Sequence, residues 1–254
     1  MTMLKTREEI VGWLGKYDIK NYIIDEDLGI KVQGDVLLSG VSLGVLPVNF
    51  RDVSGYFDCR NNDLISLEGC PERVGGYFSC YNNNLTSLLG CPTDVGAEFD
   101  CGKNRLTSLV GCPISVRWTF SCGVNELTDL VGGPKEVEGD YYCYQNNLIS
   151  LLGCPEKVGG DFYCYGNRLT NLDCSPVEVV GDFNCSDNEL TSLVGFPKIL
   201  GGVFKCNNNE CFSDSFLEMS VPEIRMYVAS KELCDSIFNR LLNVDVKVVK
   251  GKKI

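Results

Sequence analysis

This chain contains no histidine. That removes the commonest general base and the commonest zinc ligand other than cysteine. It has no C-x-x-C pair despite 15 cysteines, which argues against zinc-ribbon and thioredoxin-like sites. No stretch approaches the ~20 apolar residues of a membrane helix. The opening segment MTMLKTREEIVGWLGKY carries charges inside any would-be apolar core, so it does not read as a signal peptide. Positive charge is also scarce. The net charge is −11, and residues 36–211 hold 11 Lys plus Arg against 21 Asp plus Glu. An acidic surface disfavours direct nucleic-acid binding, because phosphate contacts need basic patches. It favours basic proteins, metal ions or simple solubility. There is no P-loop, no G-x-S-x-G elbow and no metal-ligand spacing. A cysteine nucleophile would lack its histidine base. These absences point away from an enzyme, and no cofactor is expected.

What the chain does have is a repeat. Cysteine recurs every 21 residues at Cys59, Cys80, Cys101, Cys122, Cys143, Cys164, Cys185 and Cys206. Three positions on stands an asparagine each time, from Asn62 to Asn209. Two positions before stands an aromatic, from Phe57 through Tyr141 to Phe204. Leucine columns run from Leu64 to Leu190 and from Leu67 to Leu193, and prolines from Pro71 to Pro197 mark a return turn. A degenerate first copy holds Val36, Leu38, Leu43 and Leu46, which makes nine. Self-similarity at such a period signals a solenoid that stacks into one elongated domain.

The expected architecture is an α/β repeat solenoid, mostly β, with about nine turns and helical caps at both ends. Residues 1–35 read as an N-terminal cap. A helix over 1–17 is expected, with Thr6 and Glu9 forming a capping box, then a hairpin turning through Asp27 to Gly29. Residues 36–211 are the repeats. Residues 212–254 read as a C-terminal helical cap, with Pro222 suited to a first helical turn. In each strand alternate side chains face opposite ways, so the aromatic and the cysteine point into the core. The cysteines are then small core hydrophobes rather than disulfide partners, as expected of a reducing, cytoplasmic setting. The asparagines must find partners on neighbouring turns. The Gly-Gly pairs before the strands read as tight or left-handed backbone.

The motif V-x-x-x-F-x-C-x-x-N-x-L-x-x-L resembles a leucine-rich repeat, L-x-x-L-x-L-x-x-N-x-L, with Phe and Cys in two of the leucine slots. Its short period and proline return resemble the repeats of bacterial effectors of the YopM and IpaH type. The G-C-P and V-G-G elements are similar to repeats of uncharacterised proteins of large bacteriophages. The resemblance covers about residues 32–211. It departs from the effector pattern by one added residue per repeat and lacks the ligase domain of the IpaH enzymes, so no ubiquitin-transfer chemistry carries over.

The resemblance implies binding through the concave face of the sheet. Seven of the 11 tyrosines fall in the columns that would line it. They form two clusters, Tyr56/Tyr77/Tyr81 and Tyr142/Tyr144/Tyr163/Tyr165, separated by a small, polar middle. Tyrosine is a hot-spot residue, though strand surfaces favour it in any case. Asp140, Asp161 and Asp182 stack as like charges, which suggests a cationic partner, a shared Ca²⁺ or a merely solvated edge. Arg117 and Trp118 stand where other repeats have Gly-Gly, as at 75–76, 159–160 and 201–202, and are hot-spot types. The expected function is recognition of another protein, with a basic one favoured and no nucleic acid or membrane bound directly. A phage or bacterial effector acting on a host defence protein fits. The alternative is an acidic nucleic-acid mimic that blocks a basic nucleic-acid-binding protein.

Overall fold

The computed structural model describes residues 3–210 and 220–231. Most of the expected C-terminal cap, residues 212–219 and 232–254, lies outside the described residues.

Each turn contributes a two-residue strand to one parallel sheet of nine strands, from Val36–Leu37 and Phe57–Asp58 through to Phe204–Lys205. The register never slips: Phe57 pairs Phe78, Phe99 pairs Phe120, and Phe183 pairs Phe204. Neighbouring aromatic rings stack along the array with centroids 5.0 to 5.9 Å apart, Tyr141 taking its place among the phenylalanines. The strand cysteines from Cys59 to Cys185 are fully buried behind them, with both leucine columns. No disulfide joins any of the described cysteines.

The asparagines form the second ladder. Asn125 Nδ2 donates to the carbonyls of Cys101 and Cys122, and its Oδ1 accepts the N–H of Leu106. The same set recurs at Asn62, Asn83, Asn104, Asn146, Asn167, Asn188 and Asn209. One amide thereby ties three backbone groups, two of them on the preceding turn.

Sequence reading missed a second set of parallel strands on the return side. Short strands such as Arg73–Val74 and Glu136–Val137 follow the prolines and seal the core with their valines. This return side is split into two sheets of five strands, broken between Asp94–Val95 and Ser115–Val116. The break falls at Arg117-Trp118. In other turns the position of Arg117 is held to the turn before by backbone bonds of 2.8 Å at Gly75, 2.9 Å at Gly96 and Gly201, 3.1 Å at Gly159 and Val180 and 3.2 Å at Glu138. A Cβ at Gly75 or Gly96 would stand 2.1 or 2.0 Å from the carbonyl oxygen of the turn before. With side chains at both positions, Arg117 and Trp118 have neither N–H bonded to that turn.

Of the two expectations for the Gly-Gly pairs, tight backbone holds and left-handed backbone is corrected. The Gly-Gly pairs are needed for close approach of backbones, and their φ is not positive. A recurring left-handed glycine stands instead two residues before the proline of the return turn: Gly69, Gly90, Gly111, Gly132, Gly153 and Gly195 have φ of 88 to 101°.

At the N-terminal end a helix, α1 (Arg7–Lys16), starts at Thr6, where the capping box forms. It is shorter than the expected span because Lys5 and Thr6 both present N–H groups to Glu9 Oε2 rather than entering the helix. Trp13 packs 6.3 Å from the Phe50 ring, which meets Phe57 edge-on at 5.3 Å. The helix thus reaches the first aromatic of the stack through Phe50. The hairpin Tyr22–Ile24 and Gly29–Val32 forms, and its second strand pairs in parallel with Asn49–Val53. At the other end residues 221–231 are helical. Ser220 caps them, with Glu223 accepting its N–H, and Ile224 is buried against the array.

Candidate functional site: the tyrosine face

The residues just outside the buried strand positions sit on one side of the nine-stranded sheet, where parallel strands ~4.8 Å apart place counterparts at ring-stacking distance. Tyr56 stacks on Tyr77 at 4.6 Å. Tyr142 stacks on Tyr163 at 5.2 Å, and Tyr144 on Tyr165 at 4.9 Å with planes 2° apart. The two pairs are joined side by side, Tyr142 to Tyr144 at 6.3 Å and Tyr163 to Tyr165 at 6.4 Å. Four rings on two turns make one half-buried plaque.

The two expected clusters are less separate than their spacing implies. Gly102 and Gly123 are buried beneath rings: a Cβ on Gly123 would stand 2.8 Å from the Tyr144 ring, and one on Gly102 would stand 3.2 Å from Tyr81. The missing side chains let Tyr81 and Tyr144 lie down towards each other across the polar middle. Burial raises the Tyr144 phenol pKa, Tyr165 raises it further, and Asp100 and Tyr81 add to it.

The aspartate column has a job inside the array. Asp140 Oδ1 accepts the N–H of Asp161, Asp161 Oδ1 that of Asp182, and Asp182 Oδ1 that of Val203, at 2.7 to 2.8 Å. Asp35 does the same for Tyr56. The bond from Val203 holds the Asp182 carboxyl below the usual range. The second oxygens receive Tyr142 OH on Asp140 at 2.8 Å and Tyr163 OH on Asp161 at 2.9 Å. The Tyr163 phenol is pushed up to about 12, first by that bond and then by burial. Tyr142 is raised by burial first, then by its bond to Asp140. Stacking of these carboxylates thus follows from backbone capping and requires no external cation. Among the described residues no three His, Cys, Asp or Glu side chains converge as a metal-ligand set.

The capping also explains the glycines that follow. A Cβ on Gly160, Gly181 or Gly202 would lie 2.2 to 2.4 Å from the Asp Oδ1 of the turn before. Where the preceding turn carries Glu98 instead of Asp, the slot holds Trp118. That indole is 67% exposed at the edge of the face, beside exposed Arg117. Among the described residues no ring contact joins it to the tyrosines, so the structure does not bring Arg117 and Trp118 into the plaque.

Not every residue of the columns is on offer. Asp58 is 2% exposed, held by Arg60 Nε at 3.0 Å and reached by Tyr77 OH at 3.3 Å. Ser79 and Ser121 are buried too. Glu98 and Asp100 titrate above the ordinary carboxylate range, chiefly because of burial, with Asp100 adding to the effect on Glu98.

A feature the column reading passed over lies on the opposite side. A groove of about 1000 Å³ runs beside the G-C-P turns, lined by Val131, Lys135, Leu152, Cys154, Pro155 and Cys174 among others. The signal was present in the sequence: Leu-Asp-Cys-Ser-Pro at 172–176 breaks the Leu-x-Gly-Cys-Pro pattern. No family model, curated protein or solved structure matches the chain.

Proposed function

We propose that this protein is a non-enzymatic binding module that recognises another protein through the tyrosine face. The observation that carries the reading is the four-ring plaque of Tyr142, Tyr144, Tyr163 and Tyr165, two of whose hydroxyls are pinned by Asp140 and Asp161. Rings fixed before contact lose little freedom on binding, which is how tyrosine gives affinity at low entropic cost. The acidic balance of the array favours a basic partner surface. The leucine-rich-repeat resemblance supports use of this face, and its effector and phage relatives suggest a host protein as target, with the cytoplasm of the host as the place of action. The mimic reading is weaker, because the aspartates that would imitate phosphates are engaged with backbone and tyrosine.

Affinity capture from host lysate tests the proposal, run with the parent chain beside Tyr144→Ala and Tyr163→Ala. A partner retained by the parent and lost by both variants supports it. A partner held equally by all three places binding away from this face.

A further inference from the structure

In six return turns, four of them G-C-P, the position before the cysteine slot is a left-handed glycine. At Cys174 it is not. Cys174 takes φ of 64°, a conformation that L residues other than Asn and Asp rarely adopt. Backbone of this kind persists where the surroundings impose it, and such outliers gather at functional sites. The substitution also sets a thiol at the one place where the preceding turn can reach it. The residue of the cysteine slot donates to the carbonyl of that next-turn position: Cys91 Sγ to Gly111 O at 3.0 Å, and Cys154 Sγ to Cys174 O at 2.9 Å. Carbonyl geometry then puts Cys154 Sγ within about 5.3 Å of the Cys174 Cα. Disulfides join residues whose Cα atoms lie about 4.4–6.8 Å apart. In the register that pairs Lys157 with Glu178, Cys154 faces Ser175, one residue past Cys174, so a ~4.8 Å step between turns and a ~3.8 Å step along the chain put the two Cα atoms roughly 6 Å apart.

We propose that Cys154 and Cys174 form an oxidative cross-linking site, a disulfide between adjacent turns at the floor of the groove. Cys174 is the one exposed thiol among the described cysteines, and Cys154 is half-buried beside it. Cys174 meets the oxidant. With hydrogen peroxide its thiolate sulfur attacks one oxygen, the O–O bond breaks, and the departing hydroxide takes up a proton to become water. The resulting sulfenic acid is attacked by the Cys154 sulfur. The S–O bond breaks, the hydroxyl leaves as water with the Cys154 proton, and the S–S bond forms. Two thiols lose two electrons and one peroxide becomes two waters. Cys154 resolves rather than initiates: its thiol is pushed up to about 12 by burial and then by Cys174, with Lys135 pulling the other way. The deeper thiols of the strand column lie behind the stacked rings and take no part.

The test uses the full chain. It is treated with hydrogen peroxide, alkylated in denaturant and mapped by tryptic digestion with fragmentation. The expected result is a linked peptide pair joining Cys154 to Cys174, two hydrogens lighter than its thiol form, and a thermal midpoint that rises on oxidation and falls back with reductant. Cys174→Gly restores the glycine column; it should fold, give no linked pair and show no peroxide-dependent midpoint. Cys154→Ser keeps a donor to the Cys174 carbonyl and should stop the oxidation at Cys174 sulfenic or higher acids. The proposal is overturned if Cys174 stays a free thiol under peroxide, if it oxidises while Cys154 remains separately alkylated, or if its disulfide runs to another cysteine or another chain.

Discussion

The hydroxyl oxygen of Tyr141 lies 3.2 Å from where a Cβ on Gly133 would stand. Tyr141 is the one tyrosine of the buried aromatic stack, and Gly133 stands where neighbouring turns have Cys112 and Cys154. The extra hydroxyl occupies room that a cysteine would need. It is buried without a hydrogen-bond partner.

Gly133→Cys alone should therefore destabilise, by roughly 1–3 kcal/mol of overpacking. Tyr141→Phe with Gly133→Cys rebuilds the ordinary turn and removes an unpaired buried hydroxyl, which costs about 1–3 kcal/mol where it stays. The double variant should exceed the parent in stability. Chemical denaturation of the four-member cycle checks this, and additive single effects would show that the two sites do not communicate.

Asn125→Ala should cost more than Asn209→Ala. Both amides make the same bonds, but Asn125 is buried and Asn209 is half-open to water, which can replace what is lost. The mid-array loss should be roughly 1–3 kcal/mol. Asn125→Asp is the sharper probe, since a carboxylate keeps the acceptor for Leu106 and loses the donors to Cys101 and Cys122. Equal midpoints in urea for parent and Asn125→Asp would contradict the ladder.

Stability should fall in alkali. Burial raises the thiols of Cys80, Cys101, Cys122, Cys143, Cys164 and Cys185 in the folded chain. Unfolded cysteines ionise near ~8.5. Below that pH both states hold their protons and the stability is fully present. Above it the unfolded state releases protons that the folded state keeps, so stability drops by up to ~1.4 kcal/mol per pH unit per thiol until the folded thiols ionise. Denaturation midpoints at pH 7, 9 and 10 measure the slope. A flat profile would mean that the thiols are not buried.

Tyrosine truncation separates binding from folding less cleanly than exposure alone would suggest, because the plaque rings pack on each other. Tyr144→Ala should cost about 1 kcal/mol of stability and ~2 kcal/mol or more of partner affinity, roughly thirtyfold. Tyr163→Phe keeps the ring and drops the bond to Asp161, so it should bind nearly as well. The triple change Asp140→Asn, Asp161→Asn and Asp182→Asn keeps each backbone acceptor while removing three charges. A partner attracted by charge should then associate more slowly with a flatter salt dependence, at unchanged fold.

Amide exchange should be faster at Arg117 and Trp118 than at Gly139, whose N–H bonds Trp118 O at 3.2 Å. The sheet beneath stays continuous, with Phe99 paired to Phe120, so the opening is local. Arg117→Gly with Trp118→Gly should restore the bonds and the protection. Unchanged exchange in that variant would place the cause of the break elsewhere.

The ladders were legible because strict spacing carries them: Phe57 to Phe204, Cys59 to Cys206 and Asn62 to Asn209 each repeat with one side-chain type doing one thing. The return strands were not, since a two-residue strand such as Arg73–Val74 has no alternation to read. Gly75-Gly76 stayed open between tight and left-handed backbone because sequence does not tell a glycine chosen for positive φ from one chosen for contact. The residues that do turn left-handed just before the ladder include Lys103, Val124 and Gln145, which announce nothing. The tyrosine columns followed from spacing. The tilt of Tyr144 over Gly123 did not, nor the turn of each aspartate towards the next backbone, because spacing fixes the origin of a side chain and leaves its direction open.

Every ladder contact lies within a turn or joins it to the next turn in the same way each time, so the array could be lengthened or shortened by whole turns with equivalent contacts remade. The aspartate caps restrict the order in which turns can follow. A turn ending in Asp140, Asp161 or Asp182 must be succeeded by one with glycine at the facing slot, while the Trp118 turn can follow one such as that of Glu98 and would collide with an aspartate below it. Shuffling the turns of this chain is thus governed by a nearest-neighbour grammar: any copy number is allowed, and certain successions are not.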